Sequence, residues 1–271
     1  MDLEFTAVPP STAHTHTHTV VFLHGRGDRA ENFELSVRHS TDSTGLSLLE
    51  AFPSFRWVFP QAETRHLVAW PGQRIPQWFD ALDVSDLSKR EDLQTPGLRE
   101  SVAGIRRLLA SEAALLQGKW DHIVLAGISQ GAATSAHVLL NLSLPPPSPS
   151  PEDQQQEVTP RRLGAFLGFA GMMPFAGRTL AETRNVLGLL EDVPDDESLL
   201  RNTPILLEHC ANDPLILVKS GRVLRDSLRE FGAEQVSWKE YPDGGHWFNS
   251  PAGIDDAVDF LNQHVLGDVK V

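Results

Sequence analysis

The chain has 271 residues, 41% of them hydrophobic and 22% charged, the proportions of an ordinary globular protein. Its net charge of −13 argues against a nucleic-acid partner, which needs clustered basic residues, and against anionic membrane surfaces. A lone cysteine, Cys210, cannot form an internal disulfide and fits a reducing compartment. The N-terminal segment starts acidic, carries Pro9 and Pro10, and lacks the basic and apolar stretches of a signal peptide. No apolar run approaches the ~18 residues of a membrane span. The expectation is a soluble, cytoplasmic protein forming one domain over residues 1–271.

Short β-branched runs alternate with longer stretches of helical periodicity, the pattern of a mostly parallel sheet covered by helices on both faces. His14, His16 and His18 alternate with threonines; with no carboxylate or cysteine beside them they read as an exposed edge strand, not a metal surface. Thr19–Leu23 is the first strand of the core, and Trp57–Phe59 the next. Leu98–Leu116 has apolar residues at helical spacing and charge on its other side. His122–Ala126 is a strand and Gly131–Leu140 a helix of small residues. Residues 144–158 are Pro/Ser-rich, then acidic and Gln-rich, and cannot bury enough apolar surface to offset ordering; a flexible surface insertion is expected there. Ala165–Phe169 follows as a strand. The connection 175–203, with an amphipathic Thr179–Leu190, reads equally as a lid or a packed surface helix. Strands Ile205–Glu208 and Val236–Glu240 and helices Gly221–Phe231 and Gly253–Val265 complete the chain.

Between the strand at 122–126 and the helix at 131–140 stands Gly127-Ile128-Ser129-Gln130-Gly131, a G-x-S-x-G turn in the strand–turn–helix setting that raises a nucleophile above a sheet. A side chain at either glycine would collide with the adjoining strand or helix. The turn also points the N–H of Gln130 out of the helix start, where it can hold an oxyanion. In this setting the acid and then the histidine follow the serine along the chain. His246 lies in a Gly-Gly-His turn directly after a strand, whereas His137 and His264 fall within helices and His209 ends a strand. Asp213 sits just past a strand end, with room for one helix and one strand before His246; Asp243 is the weaker rival, and Glu208 lies inside a strand. The early loop Phe22-Leu23-His24-Gly25-Arg26-Gly27-Asp28 can supply a second oxyanion donor from the N–H of Arg26. The Arg26 side chain has two roles open, pairing with Asp28 or facing substrate. Trp70, Trp78 and Trp247 lie on loops near these residues and read as pocket lining or as core in equal measure. Cys210 reads as a small buried hydrophobe.

Five stretches together resemble the acyl-protein thioesterase/carboxylesterase (phospholipase/carboxylesterase) family: FLHGRGD, Ile75–Asp80, GISQGA, NDPLI and the GGH turn. They keep the family's order from about residue 19 to 265. The resemblance implies an α/β-hydrolase fold without cofactor or metal. It implies hydrolysis of thioesters or carboxylic esters of acyl chains, carried by lipid-modified proteins, lysolipids or small molecules. It puts Ser129, Asp213 and His246 on the family's catalytic positions and Arg26 and Gln130 on its oxyanion positions. This chain differs in having Arg26 after His-Gly, where an apolar residue is usual, in its two long connections, and in bulky Trp247 and Phe248 after His246. Those differences leave room for another hydrolytic role, on a carrier- or CoA-bound acyl group or a small natural-product ester. A non-catalytic binding protein of the same fold would be expected to lack a member of the triad; all three are present.

Overall fold

The computed structural model describes residues 3–145, 161–189 and 197–267. In chain order the elements are β1 (Phe5–Val8), β2 (His18–Leu23), α1 (Ala30–His39), α2 (Leu48–Ala51), β3 (Phe55–Pro60), β4 (Thr64–His66), β5 (Arg74–Pro76), α3 (Gln94–Leu115), β6 (Ile123–Ile128), α4 (Gln130–Asn141), β7 (Ala165–Phe169), α5 (Leu180–Leu187), α6 (Ser198–Asn202), β8 (Ile205–Cys210), α7 (Val218–Glu230), β9 (Val236–Tyr241) and α8 (Ala252–Leu261). Seven strands form one sheet in the order β1-β3-β2-β6-β7-β8-β9, while β4 and β5 make a separate antiparallel hairpin. Only β1 runs antiparallel within the large sheet.

The inner strands β2, β6, β7 and β8 bury both faces, so successive residues enter opposite cores. Val21, Leu23, Leu125, Phe166 and Leu207 meet Leu98, Val102, Ile105 and Leu109 of α3 and Leu224 and Leu228 of α7. Val20, Phe22, Val124, Leu167 and Leu206 meet Phe33 and Val37 of α1 and Ile254, Ala257 and Phe260 of α8. The carboxyl ends of β2, β6 and β8 therefore open on one edge of a sheet clamped between helices, where ligands bind in folds of this kind.

One sequence expectation needs correction here. The Thr-His repeat is no edge strand. His14 caps locally on Ser11, His16 bonds Thr19, and His18 opens the central strand β2. Burial and the stacked ring of His122, 4.3 Å away, push the His18 pKa down to about 4, so it stays neutral. The N-terminal edge strand is β1, whose four residues carry too little alternation to stand out. The connection 175–203 had two readings open, a lid or a packed surface helix. In its described parts Phe175, Leu180 and Leu187 are buried in the core, and α5 packs against α3 and α4. It is a packed helix there, not a cover over the sheet edge. Most of the expected insertion at 144–158, and residues 190–196 of this connection, lie outside the described residues.

Candidate active site

Ser129 stands at the tip of the turn between β6 and α4 with φ 56° and ψ −122°, a backbone conformation that costs about 1–3 kcal/mol for a side-chain-bearing residue. Its N–H donates to Phe169 O at 2.8 Å, which anchors the turn to β7. A Cβ on Gly127 would lie 2.4 Å from the Gly131 carbonyl carbon, and one on Gly131 would lie 2.3 Å from Leu23 O. Both glycines are thus fixed by close backbone approach, as the turn chemistry requires.

The structure brings together the three residues singled out from chain order. Ser129 Oγ is 2.9 Å from His246 Nε2, and His246 Nδ1 is 2.6 Å from Asp213 Oδ2. A neutral imidazole with its proton on Nδ1 accepts the serine hydroxyl at Nε2 and donates to the carboxylate. Asp213 is buried, and its Oδ1 accepts the N–H groups of Leu215 (2.8 Å) and Ile216 (2.9 Å). These bonds fix the carboxylate plane, so Oδ2 faces the ring. The His246 loop needs both of its glycines. Gly244 and Gly245 have φ of 124° and 66°, and Gly245 N–H donates to Asn212 Oδ1 at 2.8 Å. Asp243 is exposed and serves the loop through its carbonyl, which accepts from Asn249.

His209 is a residue of the site that the sequence reading set aside. Fully buried on β8, its Nε2–H donates to Ile216 O at 2.7 Å and sits 3.4 Å from Asp213 Oδ2. Burial lowers its pKa, so it remains neutral and packs beside the same Asp213 oxygen that faces His246. Its place four residues before Asp213 is the only signal that could have found it. Cys210 is buried as expected; burial and nearby carboxylates push its thiol pKa up to about 11, leaving it unreactive.

Glu208, the next residue back, faces the other side of β8. It is buried with neither carboxyl oxygen hydrogen-bonded, and burial raises its pKa well above 4.5. The unfolded chain releases this proton near pH 4.5 while the folded chain keeps it, so stability falls as pH rises above that point. The slope is about 1.4 kcal/mol per pH unit up to the folded pKa. Glu208→Gln is expected to abolish this loss. Urea denaturation should show the variant gaining on the wild type from pH 5 to pH 8; a constant difference would refute the buried acid.

Gln130 opens α4, so its N–H is one of the helix-start donors without an intrahelical acceptor. Its side chain works as a clamp, in which Oε1 accepts Trp78 N–H (2.9 Å) and Nε2 donates to Phe79 O (2.7 Å). Trp78 itself does not line the site. It is wholly buried, its Nε1–H bound to His24 O at 2.8 Å and its carbonyl to Ser101 Oγ at 2.7 Å. Trp78 thus ties the segment after β5 to the loop after β2. Gln130→Ala would leave a buried N–H and C=O unpaired, at about 1–3 kcal/mol each. A loss of about 2–4 kcal/mol in chemical denaturation is expected, and a loss below 1 kcal/mol would show that the clamp carries little.

Beside Ser129 lies a cavity of about 290 Å³. Phe79, Ala81, Val84, Leu87, Ile128, Met172, Leu215 and Ile216 make most of its wall, with Arg26, Asp28, Gln130, His246 and Trp247 as its polar or amphipathic members. Trp247 is among them, its Nε1–H held by Ser40 Oγ at 3.0 Å, whereas Phe248 is buried in the core among Phe22, Phe33 and Phe169. Trp70 stands exposed on the β4–β5 hairpin, away from the cavity lining. The Arg26 side chain does not pair with Asp28. Its Nε donates to Gln77 Oε1 at 2.9 Å and its Nη2 lies 3.6 Å from Asp80 Oδ1. Among the described residues no group of three or more His, Cys, Asp or Glu could hold a metal ion, and no helix is long and apolar enough to cross a membrane.

A parallel sheet carrying a serine on a strained strand-to-helix turn, with a histidine and an acid delivered from later loops, defines an α/β-hydrolase. Residues 6–146 match the phospholipase/carboxylesterase family. The chain belongs to that family and is a serine hydrolase of carboxylic ester or thioester bonds. It is 28% identical over 255 residues to acyl-protein thioesterase 1 of Neurospora crassa, covering 92% of this chain and 88% of that one. It is 26% identical over 259 residues to acyl-protein thioesterase 1 of Gibberella zeae, covering 93% of each. Its fold matches that of Zea mays acyl-protein thioesterase 2 with a TM-score of 0.68 at 24% identity, over 97% of this chain and 99% of that one.

Proposed function

We propose that Ser129 is the nucleophile, His246 the general base and Asp213 the orienting acid of an acyl-ester and acyl-thioester hydrolase working in the cytoplasm. The observation that carries this reading is the unbroken relay from Ser129 Oγ through His246 to Asp213 Oδ2, with contacts of 2.9 and 2.6 Å. Ser129 Oγ attacks the acyl carbonyl carbon as its proton passes to His246 Nε2. The N–H groups of Gln130 and Arg26 bind the oxyanion of the tetrahedral intermediate. Collapse expels the alcohol or thiol, which takes the proton from His246. Water then attacks the acyl-enzyme by the same route and releases the acid.

The apolar cavity accommodates one acyl chain, and the leaving group stays outside, so an acylated protein, a lysolipid or a small ester can all present the reacting bond. The relatives named acyl-protein thioesterases support the first of these as substrate. Brief incubation with a p-nitrophenyl acyl ester, acid quench and peptide mass spectrometry should place the acyl mass on Ser129. An acyl adduct elsewhere, or a wild-type adduct that persists unchanged in His246→Ala, would overturn the assignment.

A further inference from the structure

The cavity wall holds one feature that an acyl-chain pocket does not need. Arg26, whose N–H is proposed to hold the oxyanion, puts a charged side chain at the wall of a mostly apolar cavity, with only 14% of that side chain exposed. Its contacts do not exhaust it. Nε is used on Gln77, and Nη2, buried and 3.6 Å from Asp80 Oδ1, has no hydrogen-bond partner. Asp80 is already engaged: its Oδ1 accepts Ala81 N–H at 3.0 Å and its Oδ2 accepts Val68 N–H at 3.0 Å. Gln77 is held in turn, its Nε2 donating to His66 O at 3.1 Å. A buried charged donor left without an acceptor is unfavourable, and one preset beside a substrate cavity gains most when the substrate supplies the acceptor.

We infer that this hydrolase selects acyl groups carrying a neutral oxygen acceptor (a hydroxyl, ether or carbonyl oxygen) a few bonds from the scissile carbonyl, read by the guanidinium of Arg26. The short reach follows from the arginine itself, because the N–H proposed to hold the oxyanion and the guanidinium belong to one residue. Neutrality follows from charge. Asp80 already balances Arg26, and Asp28 adds a further negative charge at the cavity wall, so an acyl carboxylate would meet a net negative surround. A site built to donate to a substrate oxygen discriminates strongly against the isostere that lacks it. This inference rests on Ser129 being the nucleophile.

The test is an oxygen scan. p-Nitrophenyl heptanoate is compared with isosteres in which the methylene at position 4, 5 or 6 is replaced by an ether oxygen, with kcat/KM corrected for spontaneous hydrolysis. For the wild type at least one ether ester should match or exceed heptanoate. In Arg26→Leu the ratio of that ester to heptanoate should fall by about 10-fold or more. Arg26→Met serves as a second, less branched replacement. Ratios unchanged at every position in the variants would make Arg26 a purely structural tie. A wild type that disfavours all three ethers would overturn the inference without any variant, as would a preference for the ω-carboxylate ester of adipate over the ethers. Labelling of Ser129 by a fluorophosphonate probe separates the two levels. An unlabelled protein that turns over none of these esters refutes the nucleophile assignment, whereas labelling and turnover with flat ratios refute only the role of Arg26.

Discussion

Ser129→Ala is expected to lower kcat on p-nitrophenyl acyl esters by a factor on the order of 10⁴ to 10⁶, leaving the fold in place. The size of the effect follows from what the hydroxyl does. Its one side-chain partner is His246 Nε2, so removing it deletes the attacking atom and leaves no buried group stranded. The alanine keeps the Cβ and the strained φ of 56°, so the turn geometry has no reason to relax. Residual turnover should be insensitive to a further His246→Ala change, because the base has nothing left to activate. Full activity in Ser129→Ala would remove the nucleophile from this residue altogether. Equal thermal midpoints for the two proteins would show that the loss is chemical.

The largest expected loss of stability comes from a single methyl group on the same turn. Gly131→Ala puts a Cβ 2.3 Å from Leu23 O and 2.6 Å from His24 O, backbone atoms with no freedom to swing aside. Either α4 or the end of β2 must move, at a cost of about 3 kcal/mol or more. Activity should fall with it, since the displaced atoms lead directly into Gly25 and Arg26. Gly177→Ala is the comparison: it also burdens a glycine, with φ 83°, but its Cβ would meet nothing within 4 Å. That change carries only the conformational penalty, about 1–2 kcal/mol. If guanidinium denaturation gave the two variants similar losses, backbone collision at the elbow would be refuted as the reason for Gly131.

What could be read from the sequence was what local chemistry dictates. The elbow at Ser129 is a short stretch whose glycines are forced by contacts within a few residues and one neighbouring strand. The order serine, acid, histidine follows from the winding of the sheet. Six strands and four helices were legible because apolar runs buried on both faces, or helices with one apolar side, announce themselves by period. The short β1, β4, β5 and α2 have too few residues to carry a period, and tertiary contacts decide them; α1, whose buried Ala30, Phe33, Glu34 and Val37 do follow helical spacing, was readable and was passed over. The side-chain roles that went astray share one cause. Trp78 belongs to the core because its indole N–H finds His24 O, and Arg26 turns to Gln77 and Asp80 instead of nearby Asp28. In both cases the deciding partner is about fifty residues away along the chain, and no spacing rule reaches that far. His209 was passed over because its hydrogen bond to a carbonyl is visible only once the Asp213 loop has folded back on it.

The clamp made by the Gln130 side chain also bears on where this enzyme tolerates change. The residue proposed to supply one oxyanion donor holds the cavity wall at Phe79 through the backbone of Trp78 and Phe79, so that wall and the catalytic frame are tied together. A chain lineage or an engineer seeking a new acyl preference gains little freedom there, since each adjustment of the wall is felt at the donor. The other lip is different. Leu215 lends only its backbone N–H to Asp213 and, 55% exposed, lines the cavity. Selection on substrate range has its cheapest handle at that position, where side-chain size can vary while the catalytic frame stays put.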